Sequence, residues 1–123
     1  MDIPKIFESE YRFCLILWAN EPVRSPELVE LCREQLGWSK ATTYTVIRRL
    51  AQRGVLVNEQ TVVRSLVSKA QAQQSRLDAL MQDTFEDSFP AFLAAFSQSQ
   101  RIRDDEAKKL QAIIAEFEEE SPC

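Results

Sequence analysis

The chain of 123 residues contains no histidine. That removes His-based metal sites, Ser–His and Cys–His nucleophile pairs and the commonest general base, so an enzyme is not expected. Glycine occurs only twice and proline five times. Long loops and elaborate β-structure are excluded by such scarcity, and a mostly α chain is expected. The three cysteines, Cys14, Cys32 and Cys123, form no C-x-x-C pair, and their odd number argues against a disulfide framework. Cys14 and Cys32 stand among apolar neighbours, where a thiol serves as a small buried hydrophobe. No apolar run approaches the roughly 18 residues of a membrane span. Met1-Asp2-Ile3-Pro4-Lys5 also lacks the basic and apolar parts of a signal peptide. A cytoplasmic protein with no cofactor, no metal and no membrane insertion is the expectation.

What is present is charge, unevenly placed. The net charge is −4. Residues 1–69 carry 10 basic against 8 acidic side chains, residues 70–123 carry 5 against 11, and the stretch 38–69 carries 6 against 1. Affinity for a polyanion follows the local patch and not the total, so the two halves are expected to do different jobs.

Along the chain, Glu8 to Asn20 reads as a first helix with Tyr11, Leu15 and Trp18 on one face and Cys14 and Leu17 beside them. Pro22 turns the chain, because proline disfavours helix in the residue before it. Val23-Arg24 is a possible short strand. Ser25-Pro26-Glu27 then opens a second helix, with Ser25 as N-cap and Leu28, Leu31 and Cys32 on its apolar side, ending at Gly37.

The central stretch runs from Trp38 to Gly54. Ser39 is a good N-cap, Gly54 is the usual residue just past a helix end, and Thr43, Val46, Ile47 and Leu50 form a core stripe between them. Opposite that stripe lie Ala41, Thr45, Arg48 and Gln52, with Thr42, Tyr44 and Arg49 on its flanks. An outward face of hydroxyls, an aromatic and arginines, without an acid, suits the DNA major groove. It also suits an ordinary amphipathic helix with a solvated basic side. Two helices joined by a three- or four-residue turn, the second basic outward, make a helix-turn-helix candidate. Beyond Gly54, Val55-Leu56-Val57 and Thr61-Val62-Val63 flank the polar Asn58-Glu59-Gln60, a small hairpin or wing. Arg64 at its end either reaches a phosphate or is merely exposed.

Helix returns from Ser68. Leu77, Leu80, Met81 and Phe85 mark an apolar stripe, and Asp87 or Ser88 caps a helix carrying Phe89, Phe92, Leu93 and Phe96. Asp104-Asp105-Glu106 begins a last helix with Leu110, Ile113, Ile114 and Phe117 on one side. Three short helices cannot bury so large an apolar payload among themselves. A partner subunit is favoured over docking on the chain's own N-terminal lobe.

The run Gly37-Trp38-Ser39, Thr42, Thr45, Arg49-Leu50, Gly54-Val55-Leu56 and Leu66-Val67-Ser68, with Glu8-Ser9-Glu10 through Leu17-Trp18, resembles the BlaI/MecI penicillinase-repressor family. The resemblance covers roughly residues 6 to 117 and is strongest from 37 to 56. It implies a homodimeric winged-helix repressor of palindromic operators, with an N-terminal lobe that reads DNA and a three-helix lobe that makes the dimer. Thr42, Thr45 and Arg49 match positions of the family's recognition helix, and Ser39 matches its cap. Four features depart from the pattern. A lysine common early in that helix is Ala41 here, with Lys40 beside it as a substitute. The wing is shorter and lacks a Gly-Arg tip. The cleavage place of the resistance regulators, an asparagine before a phenylalanine, reads Ala95-Phe96, and Cys123 stands alone where the copper-responsive branch has paired cysteines.

The expected architecture is therefore a winged helix-turn-helix DNA-binding domain over residues 1–67 and a helical dimerisation domain over 68–123. Arg48 and Arg49 are the candidates for phosphate or guanine contacts. Ser39, Thr42, Tyr44 and Thr45 are the candidates for phosphate and base-edge contacts. The alternative is a winged-helix module that docks other proteins, for which the basic face at 40–53 has no use.

Overall fold

The computed structural model describes residues 3–98 and 103–120, with side chains of the second stretch described as far as Glu116. The chain divides into two compact units, Met1–Asp78 and Ala79–Cys123. Among the described residues, six helices and a three-stranded antiparallel sheet make a mostly α fold of winged-helix type.

In the first unit, α1 (Glu8–Asn20), α2 (Ser25–Leu36) and α3 (Lys40–Arg53) pack around a core closed by the sheet. The side chains of Phe13, Leu17, Leu28, Leu50, Val55, Leu56 and Val63 are fully or almost fully excluded from water. Each large one stabilises the fold by roughly 1.5–3 kcal/mol through burial alone. On α1 the buried apolar residues are Phe13, Cys14, Ile16 and Leu17, while Leu15 is exposed. The face expected from Tyr11, Leu15 and Trp18 is thus rotated, because Phe13 takes the centre and stacks on Trp38 at 6.1 Å. Tyr11 and Trp18 are half-buried and meet edge to face, and the Trp18 indole N–H donates to the Val67 carbonyl at 2.9 Å.

Gly37 ends α2 and Gly54 ends α3, both left-handed at φ of 71° and 84°. A residue with a Cβ is strained in that conformation, which is why the two glycines fall at these two places. The turn between α2 and α3 is Gly37-Trp38-Ser39. Ser25 is not the cap of α2. Arg24 holds that position in extended conformation, and the Ser25 N–H instead donates to the Thr61 carbonyl at 2.7 Å.

The sheet runs β1 (Val23–Arg24), β3 (Val62–Ser65), β2 (Leu56–Glu59) in spatial order. Glu59 pairs with Val62, so the hairpin turn is Gln60-Thr61 and not the expected Asn58-Glu59-Gln60. Both turn residues have positive φ, 52° and 69°. That is the backbone of a two-residue hairpin whose twist matches its strands, made here without asparagine or glycine.

After the sheet, α4 (Lys69–Phe85) starts at a reciprocal cap: Ser68 Oγ accepts the Gln71 N–H, and Gln71 Oε1 accepts the Ser68 N–H. The polar-looking first half of α4 belongs to the N-terminal unit. Ala72 is buried there, and Arg76 lies over the Tyr11 ring at 4.0 Å and pairs with Glu8 at 3.0 Å.

The second unit holds the end of α4, α5 (Phe89–Gln98) and α6 (Asp104–Glu120). Ser88 caps α5 by accepting the Ala91 N–H, so of the two candidates Ser88 is the cap. Phe92 contacts the rings of Phe85, Phe89 and Phe96 at 5.6 to 6.1 Å. No residue of α5 is buried, and Leu80, Phe89, Phe96, Ile113 and Ile114 are exposed. Phe117 lies on α6 with its side chain outside the described residues, and Cys123 is outside them altogether.

Candidate nucleic-acid interface

Because Thr43, Val46, Ile47 and Leu50 are buried, the geometry of an α-helix fixes the rest of α3. Lys40, Ala41, Thr42, Arg48, Arg49 and Gln52 are exposed, and Tyr44 and Thr45 are half-buried at the margins. Thr43 adds a hydrogen bond from its hydroxyl to the Ser39 carbonyl, locking the first turn. Ser39 Oγ accepts the Thr42 N–H at 3.2 Å and gives its own proton to Thr42 Oγ1 at 3.0 Å. The hydroxyl left with a proton to offer outward is therefore that of Thr42. Tyr44 packs its ring against the core cluster. Among the described residues, Lys40, Arg48 and Arg49 have no hydrogen-bonded or ion-paired partner.

Arg53, the fourth cation of the helix, is different. It forks onto the Glu10 carboxylate, Nη1 to Oε1 at 2.8 Å and Nη2 to Oε2, and also donates to the Lys5 carbonyl at 2.9 Å. Its guanidinium lies 5.2 Å from the centre of the Phe7 ring. Glu10 is 5% exposed and additionally accepts the Phe7 N–H at 2.9 Å. Burial on its own raises the pKa of that carboxyl. The hydrogen bonds from Arg53 and the Phe7 N–H, with the charges of Arg53 and Arg49, outweigh it and hold the group below its ordinary value. Arg53 thus belongs to a clasp between the start of α1 and the end of α3. In the sequence Arg53 falls within the basic face at 40–53, because its partner is 43 residues away and no local pattern joins them.

On the wing, Arg64 is exposed and pairs with Glu59, Nη2 to Oε1 at 3.4 Å. Arg24, which sequence reading left out of the candidates, is also exposed, in register with Val62 on the neighbouring strand. Its only signal in the sequence is a lone cation in a two-residue strand candidate. The cysteines are remote from this surface chemistry. Burial pushes the Cys14 thiol up to about 12, helped by the charges of Glu10 and Glu21. Burial likewise pushes Cys32 up to about 11, against a hydrogen bond with Thr43 that lowers it. Such thiols are inert small hydrophobes.

Among the described residues no group of three or more His, Cys, Asp or Glu side chains comes together to hold a metal ion, and no helix is long and apolar enough to cross a membrane. A search of curated proteins finds no match. A family model described as penicillinase repressor matches residues 6–116, nearly the whole chain. The match spans the winged-helix core, the basic outward face of α3 and most of the C-terminal helices alike, and bears out the resemblance read from Trp38, Ser39, Thr42, Thr45, Arg49 and Leu50: the chain belongs to the penicillinase repressor family, DNA-binding repressors of transcription.

Proposed function

We propose that the protein is a homodimeric repressor that reads a palindromic operator with α3. The observation that carries this is the outward face of α3, which bears no acid of its own and where Lys40, Arg48 and Arg49 stand exposed with no hydrogen-bonded or ion-paired partner among the described residues. Three cations gathered on one exposed face repel one another and add nothing to the packing of the fold, whereas phosphates supply the charge they lack. In this reading Arg48 and Arg49 contact phosphate or guanine edges, and Thr42, Thr45 and Tyr44 contact phosphate and base edges. Ser39 acts mainly as the cap that holds the first turn, and Lys40 and Arg64 contribute charge.

The functional division is a DNA-binding domain over residues 1–67 and a dimerisation domain over 68–123. The exposed apolar side chains of α4, α5 and α6 support the second assignment, since a patch of that kind is rarely left to water. Leu77, Leu80, Met81, Phe85, Phe89, Phe92, Phe96, Leu110, Ile113, Ile114 and Phe117 are the residues proposed for it. A two-fold dimer then presents two copies of α3 to successive major grooves about one helical turn apart.

The test is a fluorescence-anisotropy titration of the full chain against the DNA upstream of its own operon, at several salt concentrations. Selective binding that weakens steeply with salt is the expected result. In the same assay Arg49→Ala weakens binding roughly tenfold or more while leaving the melting curve in place. Weak binding without sequence preference and with little salt dependence overturns the proposal and points to a protein-docking module.

A further inference from the structure

The three-stranded sheet has two faces, and its register sorts the side chains between them. Residues paired across neighbouring strands share a face. Val23 pairs with Val63 and Leu56 with Ser65, and Val23, Val63 and Leu56 are buried, so that face belongs to the core. The alternate rows, Arg24 with Val62 and Glu59, and Arg64 with Val57, therefore share the outer face. Arg24, Arg64 and Glu59 are all exposed on it. Arg24 and Arg64 are diagonal neighbours on adjacent strands, which sets their Cβ atoms roughly 7 Å apart. Arg24 has no hydrogen-bonded or ion-paired partner among the described residues, and Arg64 has Glu59.

We infer that this outer sheet face grips the sugar-phosphate backbone beside the groove that α3 enters, with Arg24 as the main contact and Arg64 as the second. The inference rests on the DNA-reading role proposed above. In a helix-turn-helix the first helix crosses the backbone while the second lies in the groove. Arg24 directly precedes that first helix, α2, on a strand hydrogen-bonded to β3. The wing is pinned to the same place, because the Thr61 carbonyl accepts the Ser25 N–H. Its turn, Gln60-Thr61, carries no cation, so the positive charge of the wing lies on the strands and not at the tip. Glu59 is the one acid on the face. Its exposed pair with Arg64 is weak, and a phosphate replaces the carboxylate at little cost.

Anisotropy titrations of the full chain on its preferred duplex and on an unrelated one, across salt concentrations, test the assignment. Arg24→Ala lowers affinity for both duplexes alike, by roughly three- to tenfold, and reduces the slope of log affinity against log salt by about one. Arg64→Ala shifts both quantities the same way and by less. Glu59→Gln tightens binding, because it frees Arg64 and removes a repelling charge. Arg12→Ala, which deletes an exposed arginine of α1, serves as the control and changes neither quantity. If the unaltered protein binds both duplexes weakly and with little response to salt, the DNA-reading role itself fails. If it binds as expected and Arg24→Ala keeps both its affinity and its slope, the sheet-face assignment alone is overturned.

Discussion

Arg49 and Arg53 stand one helical turn apart on α3, and the fold uses them in opposite ways. Arg49 faces water, whereas Arg53 is held by Glu10, the Lys5 carbonyl and the Phe7 ring. Replacing Arg53 leaves a carboxylate that is 5% exposed without its main partner, which is costlier than the loss of the ion pair as such. Arg53→Ala is therefore expected to destabilise the protein by roughly 2–3 kcal/mol in urea unfolding, while Arg49→Ala is expected to stay within about half a kcal/mol of the parent. The clasp also sets an acid limit. Because the folded-state pKa of Glu10 lies below its ordinary 4.5, its contribution is complete above that value and is lost as pH falls through the lower, folded-state value. Unfolding curves taken between about pH 6 and pH 3 should show this loss in the parent and a shallower one in Glu10→Gln. Sequence alone distinguishes none of this: both arginines sit in one basic run, and only the chain's return brings Glu10 to one of them.

At the scale of elements, α3 was legible almost entirely. Ser39, the Thr43-Val46-Ile47-Leu50 stripe and Gly54 state its start, its face and its end in local chemistry, and the structure agrees at all three. The hairpin was legible as two apolar runs around a polar break, but its turn was not. Gln60 and Thr61 both adopt positive φ, which neither residue type signals, and Thr61 is β-branched. What holds them there is tertiary, including the hydrogen bond from the Ser25 N–H to the Thr61 carbonyl. Ser25 is not the cap because it already lies inside the first turn of α2, with Arg24 in the extended conformation before it. The outward rows of the sheet were hidden for a related reason: Arg24 gains a meaning only once it is known to lie opposite Val62. If the turn is strained, relieving it should help. Gln60→Asn with Thr61→Gly is expected to raise stability by about 1 kcal/mol, read as a later urea midpoint with an unchanged slope. A lower midpoint would mean that the native turn is already at ease.

For the molecule as a whole, the contrast between the two units matters most. The first has a closed core, and the second has a cluster of phenylalanines whose outer side chains meet water, Phe89 at 55% and Ile113 at 53% exposed. Phe92 lies at the centre of that cluster, touching three other rings, so Phe92→Asp would disrupt the unit as well as any partner surface. Phe89→Asp is the cleaner probe, because it places charge on the exposed side. Sedimentation velocity should show the parent as a dimer and Phe89→Asp as a monomer with its helical circular dichroism largely retained. An unchanged mass would remove Phe89 from the interface. The apolar stripe of α4, half-buried at Met81 and Phe85 and exposed at Leu77 and Leu80, was readable from the spacing of these four residues. That the first half of α4 belongs with the N-terminal unit was not, because the buried contact is a single alanine, Ala72, among glutamines.

The two buried thiols have a consequence for the energetics of binding. Histidine is the side chain that ordinarily changes charge near neutrality, and this chain has none. Cysteine is the next nearest, and Cys14 and Cys32 are displaced to about 12 and about 11. Neither thiol therefore changes protonation from roughly pH 6 to pH 8, the interval in which regulators are usually assayed. Association with DNA in that interval should take up no proton at either of them and release none. Calorimetric titrations in phosphate and in Tris, whose ionisation heats differ widely, should show the same buffer dependence of the enthalpy for the parent and for a variant carrying Cys14→Ala and Cys32→Ala.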